Sequence, residues 1–256
     1  MNALIGHSGF VGSNLLARRS YNSIYRSSDI DTIRGREFEH VVCAGMQAIK
    51  WWANLHPTED LAGIDHLLDA LSEVRAKRFT LISTIDVYPA PRGVDEDTLV
   101  DMERHHAYGL HRLQAEQRIA EIFPRVTVLR LPGLFGPGLK KNVIYDLIHD
   151  NNLHQVHPGG IFQYYDTRRL AEDIDNAWSL GCPLLNVSSA PIRTCEIRDR
   201  FFPGKDLGGT GAAPAGYDML SKHATAWGGS DGYLYPKETV MSDLGDWIRE
   251  EQIIPH

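Results

Sequence analysis

The fold of this chain is decided near its amino end by the stretch NALIGHSGFVGSNLLA, which occupies residues 2–17. A short apolar strand sequence runs into a turn that contains Gly6, Gly9 and Gly12, and a helical sequence follows. A glycine turn between a strand and a helix is the setting of a dinucleotide-binding fingerprint. The stretch therefore predicts the first strand, turn and helix of a nucleotide-binding sheet.

Each glycine of this turn has a physical reason in that setting. The first permits a tight turn, the second lets the backbone approach a pyrophosphate, and the third lets helix and strand pack closely, while helix N-terminal amides face the anion. The glycines are spaced three and three rather than the usual two and three, so an ordinary strand-to-helix turn stays open as the alternative. The turn residues predicted to bind the cofactor are Gly6, Ser8, Gly9, Phe10, Val11 and Gly12.

The choice of dinucleotide depends on the residue that ends the second strand. An acidic residue about 20 positions after the turn would bind the adenosine ribose of NAD. That offset falls on Arg26, which is followed by Ser27 and Ser28. A guanidinium and two hydroxyls suit the 2′-phosphate of NADP, so NADP is favoured over NAD. The alternative is that Arg26 is a solvated surface arginine.

Strand-like and helix-like segments alternate through the rest of the first half of the chain. Such alternation implies right-handed crossovers and a parallel sheet that is covered on both faces. The predicted class is α/β, a doubly wound parallel-sheet Rossmann fold with a small C-terminal substrate lobe. The predicted strands are 2–5, 23–25, 40–44, 79–83, 126–131 and 184–187, the predicted helices are 60–74, 105–122, 142–150, 170–180 and 239–250, and the predicted loops are 133–138 and 204–216.

Composition excludes several classes of protein. Of 256 residues, 26 are Lys or Arg and 33 are Asp or Glu, so the net charge of −7 argues against a general nucleic-acid or membrane-surface binder. No apolar run approaches the roughly 18 residues that a bilayer requires. The three cysteines follow no disulfide or zinc pattern. We therefore expect a cytoplasmic protein with a small-molecule partner, no nucleic acid, no membrane and no metal.

A second informative segment contains Tyr108 and Arg112. Because residues four apart share one face of a helix, both side chains can address the same point. A tyrosine is a poor base at neutral pH unless a nearby cation lowers its pKa from about 10. Arg112 is a candidate for that cation.

These segments together resemble the extended short-chain dehydrogenase/reductase family, which includes NAD-dependent epimerases and dehydratases. The family pairs a Gly-x-x-Gly-x-x-Gly turn with Tyr-x-x-x-Lys and an upstream Ser or Thr, and STIDVY at 83–88 is similar to its strand-end motif. RLPGLFGPG at 130–138 is similar to the segment that leads into the substrate domain. The short path between Arg26 and His40 is most like the reductases that make GDP-fucose or dTDP-rhamnose.

The resemblance implies roles for individual residues. Tyr108 is the general acid/base for a carbonyl or hydroxyl oxygen, and Thr84 hydrogen-bonds that oxygen. Arg112 stands where the family has a lysine that lowers the tyrosine pKa and holds the nicotinamide ribose, which leaves open a working or an impaired site. Asp86 stands where dehydratases carry a glutamate, and either proton abstraction or a solvated strand end fits it. The further cofactor-binding residues implied are Ala44, Gly45, Tyr108, Arg112 and Pro132.

The predicted function is therefore an NAD(P)-dependent oxidoreductase that moves hydride to or from a sugar-like or nucleotide-sugar-like alcohol or ketone. The alternatives are an epimerase or dehydratase that regenerates its cofactor, and a non-catalytic NADP-binding regulatory protein. Residues 1–132 with 165–190 are expected to bind the cofactor, and 133–164 with 191–256 the substrate. The resemblance also implies a homodimer.

A few further residues have open roles. Lys140 and Lys141 could bind a substrate phosphate, or they could be solvated loop lysines. His105 and His106 precede Tyr108 and could edge the active site, although exposed positions at a helix start are the plainer interpretation. One tryptophan of the pair Trp51 and Trp52 could line the substrate cleft.

Overall fold

The computed structural model describes residues 1–103, 105–209, 211 and 213–253. The chain divides into two compact units, and each unit is built from three segments that are separated in the sequence. The first comprises Met1–Pro89, Thr98–Arg130 and Arg168–Leu185. The second comprises Ala90–Asp97, Leu131–Thr167 and the chain from Asn186 onward.

The strands and helices follow in chain order. The strands are β1 (Asn2–Ile5), β2 (Ser23–Tyr25), β3 (Glu37–Cys43), β4 (Arg75–Thr84), β5 (Arg92–Val94), β6 (Val126–Leu131), β7 (Gly133–Phe135), β8 (Ile161–Phe162), β9 (Tyr164–Asp166), β10 (Leu184–Asn186), β11 (Ile192–Arg193) and β12 (Asp218–Met219). The helices are α1 (Phe10–Arg18), α2 (Lys50–Leu55), α3 (Pro57–Ser72), α4 (Ala107–Ile122), α5 (Val143–His149), α6 (Leu170–Ser179), α7 (Thr194–Phe201), α8 (Ala224–Trp227) and α9 (Lys237–Ile253).

The central sheet has the order β10-β6-β4-β3-β1-β2 and is parallel, with helices flanking it. Ile5 pairs with Tyr25 on one side and Cys43 on the other, so β1 to β3 end level with each other. The predicted α/β Rossmann class is confirmed. Its physical basis is burial: β1 and β3 are apolar along most of their length because helices cover both faces.

The core of the first unit lies between this sheet and the helices α3 and α4. The helical face that the spacing of apolar residues predicts on α3 is largely buried, with Leu68 2% and Leu71 0% exposed. Pro57 occupies the first turn of α3, where its missing N–H costs nothing. Other residues of this core are Ala3, Ile5, Val41, Ile64, Leu67, Phe79, Leu81, Ala115 and Ile119.

The second unit is built from small sheets around a separate core. β7 pairs with β9, β8 with β11 and β5 with β12. The long helix α9 contributes Leu244 and Trp247 to a core that also contains Phe135 and Ile144. Among the helices in the described part of the chain, none combines the length and apolar character needed to cross a membrane.

The structure differs from the sequence expectations at several places. The predicted loop 133–138 contains β7, because Gly133–Phe135 pairs in parallel with Tyr164–Asp166. Ala90–Asp97 belongs to the second unit rather than to the first, because β5 pairs with β12. The helices α2, α7 and α8 were not predicted. Residues 254–256 of the expected substrate lobe lie outside the described residues.

Candidate active site

The glycine turn joins β1 to α1 as the sequence predicts, and two of its glycines are required by packing. Gly6 has φ +83°, and a Cβ there would lie 2.3 Å from the carbonyl oxygen of Ala44. A Cβ on Gly12 would lie 2.1 Å from the carbonyl oxygen of Gly6. Gly12 therefore lets α1 approach the end of β1.

Gly9 is different, because none of the described residues packs closely enough against it to exclude a side chain. A Cβ on Gly9 would meet only the carbonyl oxygen of Gly6, at an ordinary contact distance of 3.4 Å. Gly9 is exposed and is the N-cap of α1, where helix amides and the helix dipole favour an anion. An open glycine at a helix N-terminus fits the close approach of a dinucleotide pyrophosphate. Ser8 is exposed beside it, and Phe10 and Val11 are half-buried in the first turn of α1.

The neighbouring strand ends complete the same edge of the sheet. The amide of Gly6 donates to the carbonyl of Tyr25 at 2.8 Å, and the amide of Ala44 donates to that of Ile5 at 2.9 Å. These bonds bring the ends of β2 and β3 against the turn, so Ala44 lies beside Gly6, and Gly45 follows it.

Arg26 directly follows β2, as the NADP hypothesis requires. Its side chain is 60% exposed, and its Nε lies 3.6 Å from Oδ2 of Asp29. Ser27 is also exposed. The position at the strand end is therefore confirmed, and both side chains are accessible to a ligand.

Thr84 and Tyr108 are brought together from different elements. Thr84 is the last residue of β4, and Tyr108 lies in the first turn of α4. The Thr84 side chain lies close enough to the Tyr108 phenol to act on its pKa. Burial has the largest effect on the pKa of Tyr108 and raises it, and the Asp86 carboxylate raises it further. Arg112, and to a smaller extent Thr84 and Lys50, lower the same pKa. Arg112 lowers the pKa as expected, but burial outweighs it, so the net direction is upward.

Arg112 is enclosed by the protein rather than aimed outward. Its guanidinium carbon lies 4.0 Å from the centre of the Tyr108 ring. Its Nη1 donates to Oδ2 of Asp60 at 2.5 Å and to the Tyr108 carbonyl at 3.2 Å. Its Nη2 donates to Oδ1 of Asp60 at 2.8 Å and to the Gln47 carbonyl at 2.5 Å. Both members of the Arg112–Asp60 pair are 2% exposed, so the arginine supports the tyrosine ring from within.

Helix α2 adds two residues that the sequence analysis missed. Lys50 Nζ donates to Oδ1 of Asp86 at 2.7 Å. Oδ1 of Asn54 accepts the backbone N–H of Tyr108 at 2.9 Å. Lys50 and Asn54 are four residues apart and so share one face of α2. That spacing, just before Pro57 opens α3, was the signal available in the sequence.

The start of α4 is packed tightly against the loop after β4. A Cβ on Gly109 would lie 2.0 Å from the Asp86 carbonyl oxygen and 2.0 Å from the His105 ring. The His106 ring lies 6.4 Å from the Tyr108 ring and caps α4 by accepting the Gly109 N–H at 3.0 Å. Burial, and next to it Lys50, lowers the pKa of His106.

Both histidines are therefore structural at this helix start, and no metal-binding group of His, Cys, Asp or Glu occurs among the described residues. Trp51 is 68% exposed on α2, while Trp52 stacks on His56 with ring centres 5.2 Å apart.

The second unit carries a cavity of about 460 Å³ of its own, within the range of ligand sites. Lys140 and Lys141 line it together with Asn142, whose side chain caps α5. Desolvation lowers the pKa of Lys141. Pro132, which follows β6, also belongs to this unit. Further lining residues are Tyr145, Asn152, Gln155, His157 and Phe162.

Solved structures resemble this chain over nearly its whole length. A UDP-glucose 4-epimerase from Thermotoga maritima, with UDP-glucose, is 15% identical with a TM-score of 0.73, covering 98% of this chain and 99% of its own. A dTDP-4-dehydrorhamnose reductase from Clostridium acetobutylicum is 17% identical with a TM-score of 0.74, covering 99% and 100%. One from Bacillus anthracis, in complex with NADP, is 15% identical with a TM-score of 0.75, covering 97% of each chain.

At these identities the structural likeness shows the fold alone. A search of curated protein sequences finds no match. A family model for the NAD dependent epimerase/dehydratase family matches residues 25–169, which is more than half of the 256-residue chain. With the Rossmann sheet and the Thr84–Tyr108 pair at its edge, the chain belongs to the NAD dependent epimerase/dehydratase family.

Proposed function

We propose that this protein is an NAD(P)-dependent oxidoreductase that reduces a ketone of a sugar or nucleotide sugar, or oxidises the corresponding alcohol. The observation that carries the proposal is the proximity of the Thr84 and Tyr108 side chains, at the end of β4 and the start of α4. Two hydroxyls that converge on one point suit a carbonyl oxygen, which one can protonate while the other orients it. Family membership supports the nicotinamide cofactor.

The first unit supplies the cofactor site in this proposal. The open face at Gly9 and the N-terminus of α1 would hold the pyrophosphate, with Gly6, Gly12 and Ala44 forming the base of the turn. When bound, the nicotinamide supplies or accepts the hydride. Arg26 and Ser27 would contact the 2′-phosphate of NADP, which is why we favour NADP over NAD.

Tyr108 manages the proton of the reaction. In the reductive direction its phenolic O–H is given to the substrate oxygen, and a phenolate remains on the protein. The Thr84 hydroxyl hydrogen-bonds the same oxygen and holds it in place. Burial of Tyr108, at 7% exposure, keeps the phenol in its protonated form until the substrate oxygen becomes basic.

The cavity of the second unit is our candidate for a substrate phosphate. Lys140 and Lys141 place two amino groups on its lining, next to the single carboxylate of Asp146, and an anionic ligand would offset the desolvation that lowers the pKa of Lys141. The Thermotoga maritima neighbour was solved with UDP-glucose, which carries two phosphates. A phosphorylated or nucleotide-linked sugar is therefore the proposed small-molecule substrate.

Asp86 distinguishes this proposal from a dehydratase. A base that removes a carbon-bound proton must be able to approach that proton. Asp86 is 17% exposed and is bound to Lys50 at 2.7 Å. We therefore assign Asp86 the role of holding Lys50, and we favour the reductase over the dehydratase.

The test is the loss of NADPH or NADH absorbance over a panel of keto-sugars and nucleotide keto-sugars. Tyr108→Phe should lower kcat by about 100- to 10,000-fold, the usual contribution of a general acid. Tyr21→Phe is the matched control, because the buried Tyr21 hydroxyl has no hydrogen-bond partner in the described part of the chain. Equal turnover by wild type and Tyr108→Phe would refute the tyrosine mechanism.

Two other results would select the alternatives. Isomerised or dehydrated sugar without net cofactor oxidation would identify an epimerase or dehydratase. If no substrate turns over but NADPH raises the melting temperature, the non-catalytic binding protein is favoured.

The cofactor assignment has its own experiment. Arg26→Ala should weaken NADPH binding by about 10- to 100-fold and leave NADH binding nearly unchanged, because only NADPH carries the phosphate that the guanidinium would pair with. Binding can be measured by calorimetry, and equal losses for both cofactors would overturn the NADP assignment.

A further inference from the structure

The first unit contains a small cleft that lies away from the glycine turn. Its volume is about 240 Å³, and it is lined by Arg78 of β4, Arg125 just before β6, and Asp175, Trp178 and Ser179 of α6. Sites for drug-sized ligands take about 300 to 1,000 Å³, so this cleft suits a smaller group. None of these residues belongs to the proposed cofactor or substrate site.

The cleft lies at the edge of the sheet opposite to Thr84. Arg78 is near the start of β4, and the backbone N–H of Phe79 donates to the Arg125 carbonyl at 2.9 Å. Both arginines therefore mark the amino ends of adjacent parallel strands. Thr84 ends β4 six residues after Arg78, which at about 3.3 Å per residue is a separation of about 20 Å. A small ligand in the cleft would not reach Thr84.

Trp178 is held in one orientation by buried neighbours. Its Nε1 donates to the hydroxyl of the buried Thr80 at 2.8 Å, and the ring of the buried His40 packs edge-on against it with ring centres 5.8 Å apart. The guanidinium carbons of Arg78 and Arg125 each lie 5.7 Å from the centre of the Trp178 ring. The two cations are therefore at most twice that distance apart, on a support that fixes their positions.

The charges of these two arginines are not balanced by a carboxylate. Among the described residues, neither guanidinium forms an ion pair or a hydrogen bond. Asp175 lines the cleft, but it pairs with Arg19, which also donates to the Ala171 carbonyl at 2.7 Å. Because like charges repel, two neighbouring guanidiniums without a counter-charge favour an anion between them.

The other groups that sense the charge of Arg78 do not neutralise it. Arg78 lowers the pKa of Glu39, but Lys77 has the larger effect on this carboxyl and pairs with it at 2.8 Å. His40 lies opposite Arg78 on β3, and burial, with Arg78 next, lowers its pKa to about 4. His40 is therefore neutral at pH 7. Within the described part of the chain, the surroundings of Arg78 offer no free carboxylate.

We propose that this cleft binds the phosphate group of a small molecule, with Arg78 and Arg125 as the residues that hold it. A guanidinium presents paired N–H donors that match the oxygens of a phosphate. A phosphate monoester carries a charge of about −1.5 to −2 at pH 7, which matches two arginines, whereas a carboxylate carries a single charge. The phosphate is either the free ion or the end of a small carrier such as a sugar phosphate. The proposal is independent of the proposed redox function.

The test is isothermal titration calorimetry with inorganic phosphate and with glucose 6-phosphate, at an ionic strength held constant with sodium chloride. The full chain carries Arg26→Ala, Lys140→Gln and Lys141→Gln, because these cations belong to the other phosphate sites that we propose. We expect one phosphate to bind per chain. Tighter binding of glucose 6-phosphate would identify a carried phosphate as the ligand, and equal or weaker binding would identify the free ion.

In the same background, Arg78→Gln and Arg125→Gln should each weaken phosphate binding by about tenfold or more, because hydrogen bonds between charged groups are lost. Arg75→Gln is the matched control, since Arg75 also lies on β4 but is 84% exposed and pairs with Glu37 at 3.0 Å. It should leave the phosphate affinity unchanged. Arg125 is exposed, so its substitution tests the site even where Arg78→Gln lowers the melting temperature.

Several results would overturn the proposal. They are the absence of binding at millimolar phosphate, equal affinities in Arg78→Gln, Arg125→Gln and their parent, and an equal loss in Arg75→Gln, which would reflect net charge alone. Phosphate binding that the wild type shows and the triply substituted chain lacks would also overturn it, while supporting the other phosphate sites. Retained binding in a protein that turns over no keto-sugar would uphold this inference and count against the proposed function.

Discussion

Removing the charge of Asp60 should be among the costliest single changes in this chain. Asp60 accepts two hydrogen bonds from the Arg112 guanidinium and a third contact from His111 Nδ1 at 2.7 Å, with both ion-pair partners 2% exposed. Asp60→Asn keeps the shape but leaves a buried guanidinium without its counter-charge. Two hydrogen bonds to a charged group contribute about 3 to 6 kcal/mol in total, and a broken buried pair costs about 3 to 5 kcal/mol. We expect Asp60→Asn to lower the free energy of unfolding by about 3 to 5 kcal/mol.

The assay is urea denaturation followed by tryptophan fluorescence, with the slope of the transition compared between variants. Asp65→Asn is the matched control. It lies on the same helix and pairs with an arginine of α4, Arg118, but the two side chains are 50% and 46% exposed. The free energy of unfolding of Asp65→Asn should fall by no more than about 1 kcal/mol. If Asp60→Asn costs as little as Asp65→Asn, the idea that Arg112 is a buried, charge-balanced support is wrong.

Two further predictions follow from the glycine turn and from a buried histidine. Gly9→Ala should retain the melting temperature of the wild type but lose NADPH affinity, whereas Gly12→Ala should lower the melting temperature, because its Cβ would lie 2.1 Å from a carbonyl oxygen. Equal melting temperatures, or unchanged affinity in Gly9→Ala, would contradict this interpretation of the turn. Burial, with the nearby cations Arg78 and Arg19, lowers the pKa of His40 from 6.5 to about 4. The unfolded chain therefore binds this proton first as the pH falls, and about 3 kcal/mol of stability should be lost between pH 6.5 and 4. His40→Gln should lose correspondingly less stability over that range in urea denaturation at each pH, and a parallel loss in both proteins would refute the assignment.

The parts of the fold that were predictable are those coded by local patterns. β1, β2 and β6 have the predicted bounds, and the apolar face of α3 is buried. Local sequence determines these features because strand and helix periodicity depend only on neighbours along the chain. β7 was missed because a three-residue segment that begins with Gly133 and lies between Pro132 and Gly136 resembles a loop until Tyr164–Asp166 pairs with it.

The candidate site was predictable in part for a similar reason. Thr84 and Tyr108 each occupy a strand end or helix start, and the parallel topology brings such ends to one edge of the sheet. Lys50 was missed, because its four-residue spacing from Asn54 indicates a shared helical face but not that α2 packs against the start of α4. The sequence analysis assigned Arg112 to ligand binding, because its partner Asp60 lies 52 residues away in the sequence and is not recognisable as a partner without the fold.

The sequence by itself determined the Rossmann class and the glycine turn, and it predicted the tyrosine and the threonine, since these depend on spacing within short segments. Only the tertiary structure decided the partners of the cations Arg112 and Lys50. A positive charge takes its role from the carboxylates that surround it, and those carboxylates come from distant parts of the chain: Asp60 encloses Arg112, and Asp86 holds Lys50.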